Sequence, residues 1–258
     1  TRVARRILCG PIFVLRESST MTPTFGLIIV GDEILSGKRA DKHMPKVIEL
    51  LAARGLSLAY ADYVGDSPDR ITATLQRAFA SGDVVFSCGG IGATPDDHTR
   101  QCAASALARP LCLHPRAAEL IRERMQDVAR EQGEPFEPDR HDNVHRLQMG
   151  HFPEGAEIIP NPYNKIPGFS CDGPGGGTVH FVPGFPVMAW PMMEDKLNAY
   201  CQTWGSAPPR TERSVIVLDI CAFTSNDSRV KACNFRPTHL VGIRKSGNSN
   251  SEKIVICH

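Results

Sequence analysis

Two short strand-like stretches set the strongest constraint on this chain: the apolar run Phe25 to Val30 ("FGLIIV"), followed by "GDE", and Asp83 to Ser87 ("DVVFS"), followed by "CGGIGATPDD". Runs of this length suit strands buried within a sheet. The residues between them carry two helical periods. Met44, Val47, Ile48 and Leu51 recur at helical spacing, with Asp41 placed to cap and Gly55 to stop the helix. After an alternating stretch at Leu56, Leu58 and Tyr60, Ser67-Pro68 opens a second helix with Ile71, Leu75 and Phe79 on one face. Strand, helix, strand, helix, strand, glycine loop, helix is the order of an α/β fold with a mostly parallel sheet. Ligands of such sheets gather at the carboxyl ends of the strands, where both "GDE" and "GGIGATPDD" fall.

Further along, Ala117, Ile121, Met125 and Val128 predict an amphipathic helix ending near Gly133. "EGAEIIPNP" and "TVHFVPGFP" predict two short strands, each running into a proline turn, and 186–204 predicts a helix with Pro191 near its start. The expected organisation is a disordered extension at 1–20, a folded domain at 21–205, and a partial or poorly ordered C-terminal segment at 206–258. That last segment begins in the linker-like "SAPPR" and contains one clear strand at 214–220. A formal net charge of +1 gives no electrostatic reason to expect nucleic acid or an acidic membrane as partner. No apolar run approaches the roughly 20 residues of a membrane-spanning helix. The nine cysteines are scattered and never at CxxC spacing, which fits reduced thiols in a cytoplasmic protein better than disulfides or a zinc site. "RRILCGPIFVL" (5–15) faintly resembles a secretory signal, but Gly10, Pro11 and Arg16 interrupt it and no cleavage site follows, so export is not expected.

The glycine loop carries the chemistry. Gly89, Gly90 and Gly92 let backbone N–H groups converge on an anion, and Thr94-Pro95 reads as the cap and first position of a helix with Asp97 in capping-box position. A helix N-terminus there favours phosphate. A tight strand-to-helix turn whose aspartates merely complement the helix dipole is the alternative. Asp96 and Asp97 beside a pyrophosphate repel it unless Mg²⁺ stands between them, an ion that takes one or two carboxylates plus phosphate oxygens. Asp32, Glu33, Asp41 and Asp66 follow other strands of the same edge; singly each reads as a cap or turn residue, together as an acidic rim. Other templates fail. There is no Walker A motif, no GxGxxG and no GxSxG, and His141 and His145, though four apart, lack a third ligand and read as solvent-facing. Cys88 reads as the end of a buried strand and not as a nucleophile.

Taken in order, "GDEILSGKRADKH", "VGDSPDRI", "DVVFSCGGIGATPDDHTR", "NPYNKIPGF" and "VPGFP" resemble the MoaB/MogA molybdopterin-binding family, and within it the N-terminal domain of the competence/damage-inducible CinA proteins. The resemblance spans about Pro23 to Leu197 and implies a three-layer α/β/α domain that binds molybdopterin or an adenine nucleotide. It also implies a homo-oligomer, dimer or trimer. MogA-like enzymes transfer AMP from ATP to the molybdopterin phosphate with Mg²⁺; CinA-type domains are associated with ADP-ribose pyrophosphatase activity. Carried onto this chain, the resemblance implies phosphate contacts from Gly89, Gly90, Gly92 and Thr94. It makes Asp97 and Asp66 catalytic or metal carboxylates, with Asp96 a further metal ligand. Asp32, Glu33, Ser36 and Asp41 line the pocket, and Asn161 with residues 183–186, Pro183 and Gly184 among them, closes its far side. His43 stands where the family often has Asn, and Ala93 where it often has Pro. Three functions follow for test: Mg-dependent nucleotidyl transfer or phosphoanhydride hydrolysis, a non-catalytic pterin- or nucleotide-binding module, and a structural protein with an unused pocket.

Overall fold

The structure, a computed structural model, describes residues 24–204; the extension at 1–20, the linker, the strand at 214–220 and the C-terminal segment lie outside the described residues. The two apolar runs become β1 (Phe25–Val30) and β3 (Val84–Cys88), every residue of each buried. β2 (Leu58–Val64) pairs with β1, and the sheet continues through β8 (Thr178–Val182), β7 (Gly168–Asp172) and β6 (Glu157–Ile159) in the order β2-β1-β3-β8-β7-β6. The pairings β1–β2, β1–β3 and β3–β8 are parallel, whereas β7 and β6 add antiparallel at one edge. The expected mostly parallel α/β sheet is present.

Alternate side chains serve two cores. Ile28 and Val85 point to one side of the sheet with Ile71, Leu75 and Phe79 of α3 (Pro68–Ala80) and Cys102 and Ala103 of α4 (Thr99–Leu107). Leu27, Ile29, Phe86 and Cys88 point to the other, with Val47 and Leu51 of α2 (His43–Ala52) and Met192, Met193 and Leu197 of the long C-terminal helix at Pro186–Trp204. Two helical layers with a sheet between them follow from a strand that is apolar on both faces. On the α3 side the core is closed by a stack of Phe152, Phe169 and Phe181, with ring centroids 4.5 and 4.3 Å apart. Among the described residues no helix is long and apolar enough to cross a membrane.

Smaller elements complete the fold: α1 (Asp32–Leu35), a two-stranded ribbon of β4 (Leu111–Leu113) and β5 (His151–Pro153), α5 (Pro115–Gln132), α6 (His141–Leu147) and α7, the Pro186–Trp204 helix. One expectation is corrected. The helix after the glycine loop starts at Thr99, four residues past Pro95. Thr94 does not cap it; Asp97 donates its N–H to the Thr94 carbonyl (3.0 Å) and closes a separate turn. The chain then re-enters against the glycine loop, where the Thr99 N–H donates to the Gly90 carbonyl at 3.0 Å.

Candidate functional site

Four strand ends form one row. The Gly31 N–H donates to the Val64 carbonyl, joining the ends of β1 and β2, and the Gly89 N–H donates to the Val182 carbonyl, joining β3 and β8, each at 3.0 Å. Gly89 and Gly90 are required by this crossing. Gly89 has φ +103° and a Cβ there would run into the Val30 carbonyl oxygen; Gly90 has φ +68° and a Cβ would meet the Thr99 hydroxyl. The loop therefore lies flat on the neighbouring strand and on the start of α4.

Beneath it are two side chains that sequence reasoning missed. Thr99 is 0% and Arg100 4% exposed, and neither the Thr99 Oγ1 nor the Arg100 Nε has a partner. Arg100 donates from its other nitrogens to the Gly92 carbonyl (2.7 Å) and to the Gln148 carbonyl. Burial draws its pKa below the usual arginine value, while Asp97 opposes that shift. Asp97 in turn accepts from the Thr94 N–H (2.8 Å) and hydroxyl through Oδ2, so one of its oxygens is committed to loop shape. His145, exposed as expected, is nevertheless bound: its Nε2–H donates to the Ala93 carbonyl at 2.7 Å. The glycine loop is thus held from beneath, from within and from α6.

The acidic residues divide. Asp32 and Asp66 clasp each other across β1 and β2: the Asp32 N–H donates to Asp66 Oδ2 (2.9 Å) and the Asp66 N–H to Asp32 Oδ1 (3.2 Å). Burial raises the Asp66 pKa, and the charges of Asp32, Glu33 and Asp96 add to the rise against the Asp32 N–H, which lowers it. Four of the expected carboxylates therefore share one electrostatic neighbourhood. Asp41 does not line the cavity described below. It caps α2 through the N–H groups of His43 (2.7 Å) and Met44 (3.1 Å) and accepts from the Tyr63 hydroxyl (2.8 Å). Ser36 is exposed and donates to the Glu33 carbonyl at 3.4 Å. Asn161, three strands from β3, spends its side chain inside its own turn, on Asn164, Ile166 and the Tyr163 N–H. Cys88 is a buried strand end, its thiol pushed well up by burial and unsuited to nucleophilic attack.

On the α2 and α7 side of the row lies a cavity of about 200 Å³. Its lining includes Glu33, Arg39, Lys42, His43, Gly184 and Phe185. His43 opens α2 and is 5% exposed; because a carbonyl carries no proton, its Nε2 is the donor to the Gly184 carbonyl at 3.0 Å. That bond ties the start of α2 to the turn after β8. Among the sequence-predicted residues the structure therefore brings together Gly89, Gly90, Gly184, Asp32, Glu33 and Asp66, with Thr94, Asp96 and Asp97 on the adjoining loop.

A sequence profile described as "Probable molybdopterin binding domain" matches residues 26–202, which are the described sheet and its helices. The chain belongs to this molybdopterin-binding family. Within it the chain is 32% identical over 178 residues to a CinA-like protein of Anaeromyxobacter sp. (strain K), covering 69% of this chain and 39% of the relative. It is 31% identical over 169 residues to a putative competence-damage inducible protein of Alkaliphilus metalliredigens, covering 66% and 38%. A solved structure of CinA from Thermoplasma acidophilum, described as of unknown function, superposes with a TM-score of 0.56 at 26% identity, covering 68% of this chain and 98% of that one. The chain spans about two fifths of the length of these curated relatives. Strand ends, glycine loop and paired aspartates all fall inside the family match.

Proposed function

We propose that the row of strand ends binds a phosphorylated pterin or adenine nucleotide and acts with Mg²⁺ at its phosphate, by nucleotidyl transfer or phosphoanhydride hydrolysis. The observation that carries the reading is Asp66, half withdrawn from water and crowded by Asp32, Glu33 and Asp96 across from a glycine loop. Like charges gathered in this way are relieved by a cation. Among the described residues no three His, Cys, Asp or Glu side chains could enclose a metal by themselves. That fits magnesium, which is bound through one or two carboxylates and the ligand's own phosphates. Asp66 and Asp96, neighbours in charge, are the carboxylates to share it with the ligand's phosphates. When bound, such an ion supplies neutralisation of charge developing on the transferring group.

The chain's own groups do the rest. Backbone N–H groups of Gly90 to Gly92 bind phosphate, and Arg100 beneath them adds positive charge while fixing the Gly92 carbonyl. The second reading, a binding module without turnover, is favoured by Asp97, whose Oδ2 is engaged with Thr94. Product formation from ATP plus molybdopterin, and from ADP-ribose, distinguishes the two. With Mg²⁺ present, turnover is expected, and Asp66→Asn is expected to lower kcat by about a hundredfold or more while ligand still binds. Ligand binding without product in either assay overturns the catalytic reading and leaves the module. No binding of any of these ligands overturns both.

A further inference from the structure

The glycine loop runs into a stretch, 92–98, in which no residue is buried; Ile91 before it and Thr99 after it are. A segment without apolar anchors keeps one shape only where polar contacts impose it. This one carries Asp96, whose charge reaches Asp66 across the strand-end row. Hydrogen bonds therefore fix the place of that carboxylate.

Inside the stretch, Thr94 and Asp97 close a turn on each other, which sets local shape but not position on the sheet. Position comes from two consecutive carbonyls. Arg100 of α4 donates to the Gly92 carbonyl and His145 of α6 to the Ala93 carbonyl, each at 2.7 Å. Arg100 also donates to the carbonyl of Gln148, the residue after α6, so the two holders are tied to each other. α6 is fixed in its turn. The buried Asn143 donates from Nδ2 to the Glu137 carbonyl at 2.7 Å, and the His114 N–H donates to the Gly150 carbonyl at 2.9 Å. A Cβ on Gly150 would stand 3.1 Å from Ile121 of α5, so the turn after α6 lies hard against that helix. Every link from α5 to Ala93 is a packed or hydrogen-bonded contact. His145 is exposed and belongs to neither core, so the consequence of its bond falls on the loop.

We propose that His145 is a positioning residue: by holding the Ala93 carbonyl it keeps Asp96 within reach of the cation that Asp66 and the ligand's phosphates share. The inference rests on the proposed function and adds to it a residue from outside the row. A carboxylate preset in this way loses little freedom on binding, and releasing the loop raises the Mg²⁺ concentration that the site requires.

The test compares the unaltered chain with His145→Ala and with His145→Gln, whose side-chain amide N–H can take over the donation. In residue-resolved hydrogen exchange by NMR, the Thr94 and Asp97 amides are expected to exchange about threefold to tenfold faster in His145→Ala, as befits one lost hydrogen bond. They are expected to recover in His145→Gln, with the β3 amides unchanged throughout. Calorimetric titration follows with ADP and with a phosphorylated neopterin at rising Mg²⁺. For whichever binds, the Mg²⁺ concentration giving half-maximal binding is expected to rise about threefold to tenfold in His145→Ala and to return within about twofold in His145→Gln. Affinity without Mg²⁺ is expected to stay within about twofold in all three chains. A loop that merely folds less well weakens binding alike with and without Mg²⁺. That result overturns the positioning role and leaves the proposed function standing; so does an unchanged Mg²⁺ requirement in His145→Ala, or no recovery in His145→Gln. If the unaltered chain binds neither ligand, the proposed function falls and the role with it.

Discussion

Two histidines are buried among the described residues, and their surroundings are opposite. His180 sits in mid-strand on β8 with both ring nitrogens engaged, one with the Ser170 hydroxyl at 2.7 Å and the other with the Tyr200 hydroxyl at 2.8 Å. His43 stands at the strand-end row with Nε2 on the Gly184 carbonyl and Nδ1 buried without a partner. Ser87, Thr99 and Arg100, close to the same row, likewise keep a buried polar atom unmatched. A buried polar atom without a partner costs free energy, about 1–3 kcal/mol each, and a fold tolerates that where something else offsets it. His180 in mid-sheet is fully partnered; His43 at the strand-end row is not.

The contrast is strongest for side chains, and the backbone of the row sets its limit. Gly89→Ala places a methyl against the Val30 carbonyl at positive φ, and an expected loss of about 3 kcal/mol in urea unfolding would put this loop among the least tolerant positions in the molecule. Retention of full stability would mean the loop can move off β1, and the row would lose its rigidity. Next comes the mid-sheet network. His180→Leu strands the Ser170 and Tyr200 hydroxyls and is expected to cost about 2 kcal/mol, with ligand affinity of the folded protein unchanged. His43→Phe should do the reverse: stability within about 1 kcal/mol, because an unmatched nitrogen leaves with the ring, but ADP binding weaker by about fivefold as the Gly184 turn loses its tether. Equal stability losses at the two histidines would abolish the contrast.

The remaining contrast is a pH slope. Burial, then the charge of Lys196, pushes the His180 pKa down to about 3 from 6.5. The unfolded chain takes up this proton first, so stability falls as pH drops from 6.5 toward 3, and the loss is absent above 6.5. Asp66 runs the other way. With its folded pKa raised above 3.8, it costs stability once pH rises past that value, so Asp66→Asn should stabilise the ligand-free protein at neutral pH and blunt stabilisation by Mg²⁺ with ligand. Urea midpoints at about pH 7 and about pH 4.5, for the unaltered chain and for His180→Leu and Asp66→Asn, separate the two slopes.

How much of this was legible follows from the range of each interaction. β1 and β3 announce themselves because both faces are buried, and α3 because Ile71, Leu75 and Phe79 repeat at helical spacing. β7 was not read because Ser170 interrupts its apolar pattern, and Ser170 is tolerated there only by virtue of His180, ten residues further on. The three-residue strands β4 and β5 are too short to show a period. In the site, the glycines, Asp32 and Asp66 were legible as strand-end residues, and Asp41 as a cap. The contact of Arg39 with Phe185 was not, since the two lie far apart in the chain and meet only through the fold. Thr99 and Arg100 were hidden by the misplaced helix start: a Thr-Pro pair with an acid three residues later looks like a helix cap whether or not a helix follows.

The parallel pairing of β3 with β8, from Val84 opposite Thr178 to Cys88 opposite Val182, has a consequence for how the protein is made. A ribosome releases β3 long before the strand that covers its edge. Through that interval a strand destined for full burial carries an open row of N–H and C=O groups, the kind of edge on which nascent chains aggregate. The segment that ends this exposure also brings Gly184 and Phe185, so the same late event that makes the chain safe from its neighbours closes the cavity wall.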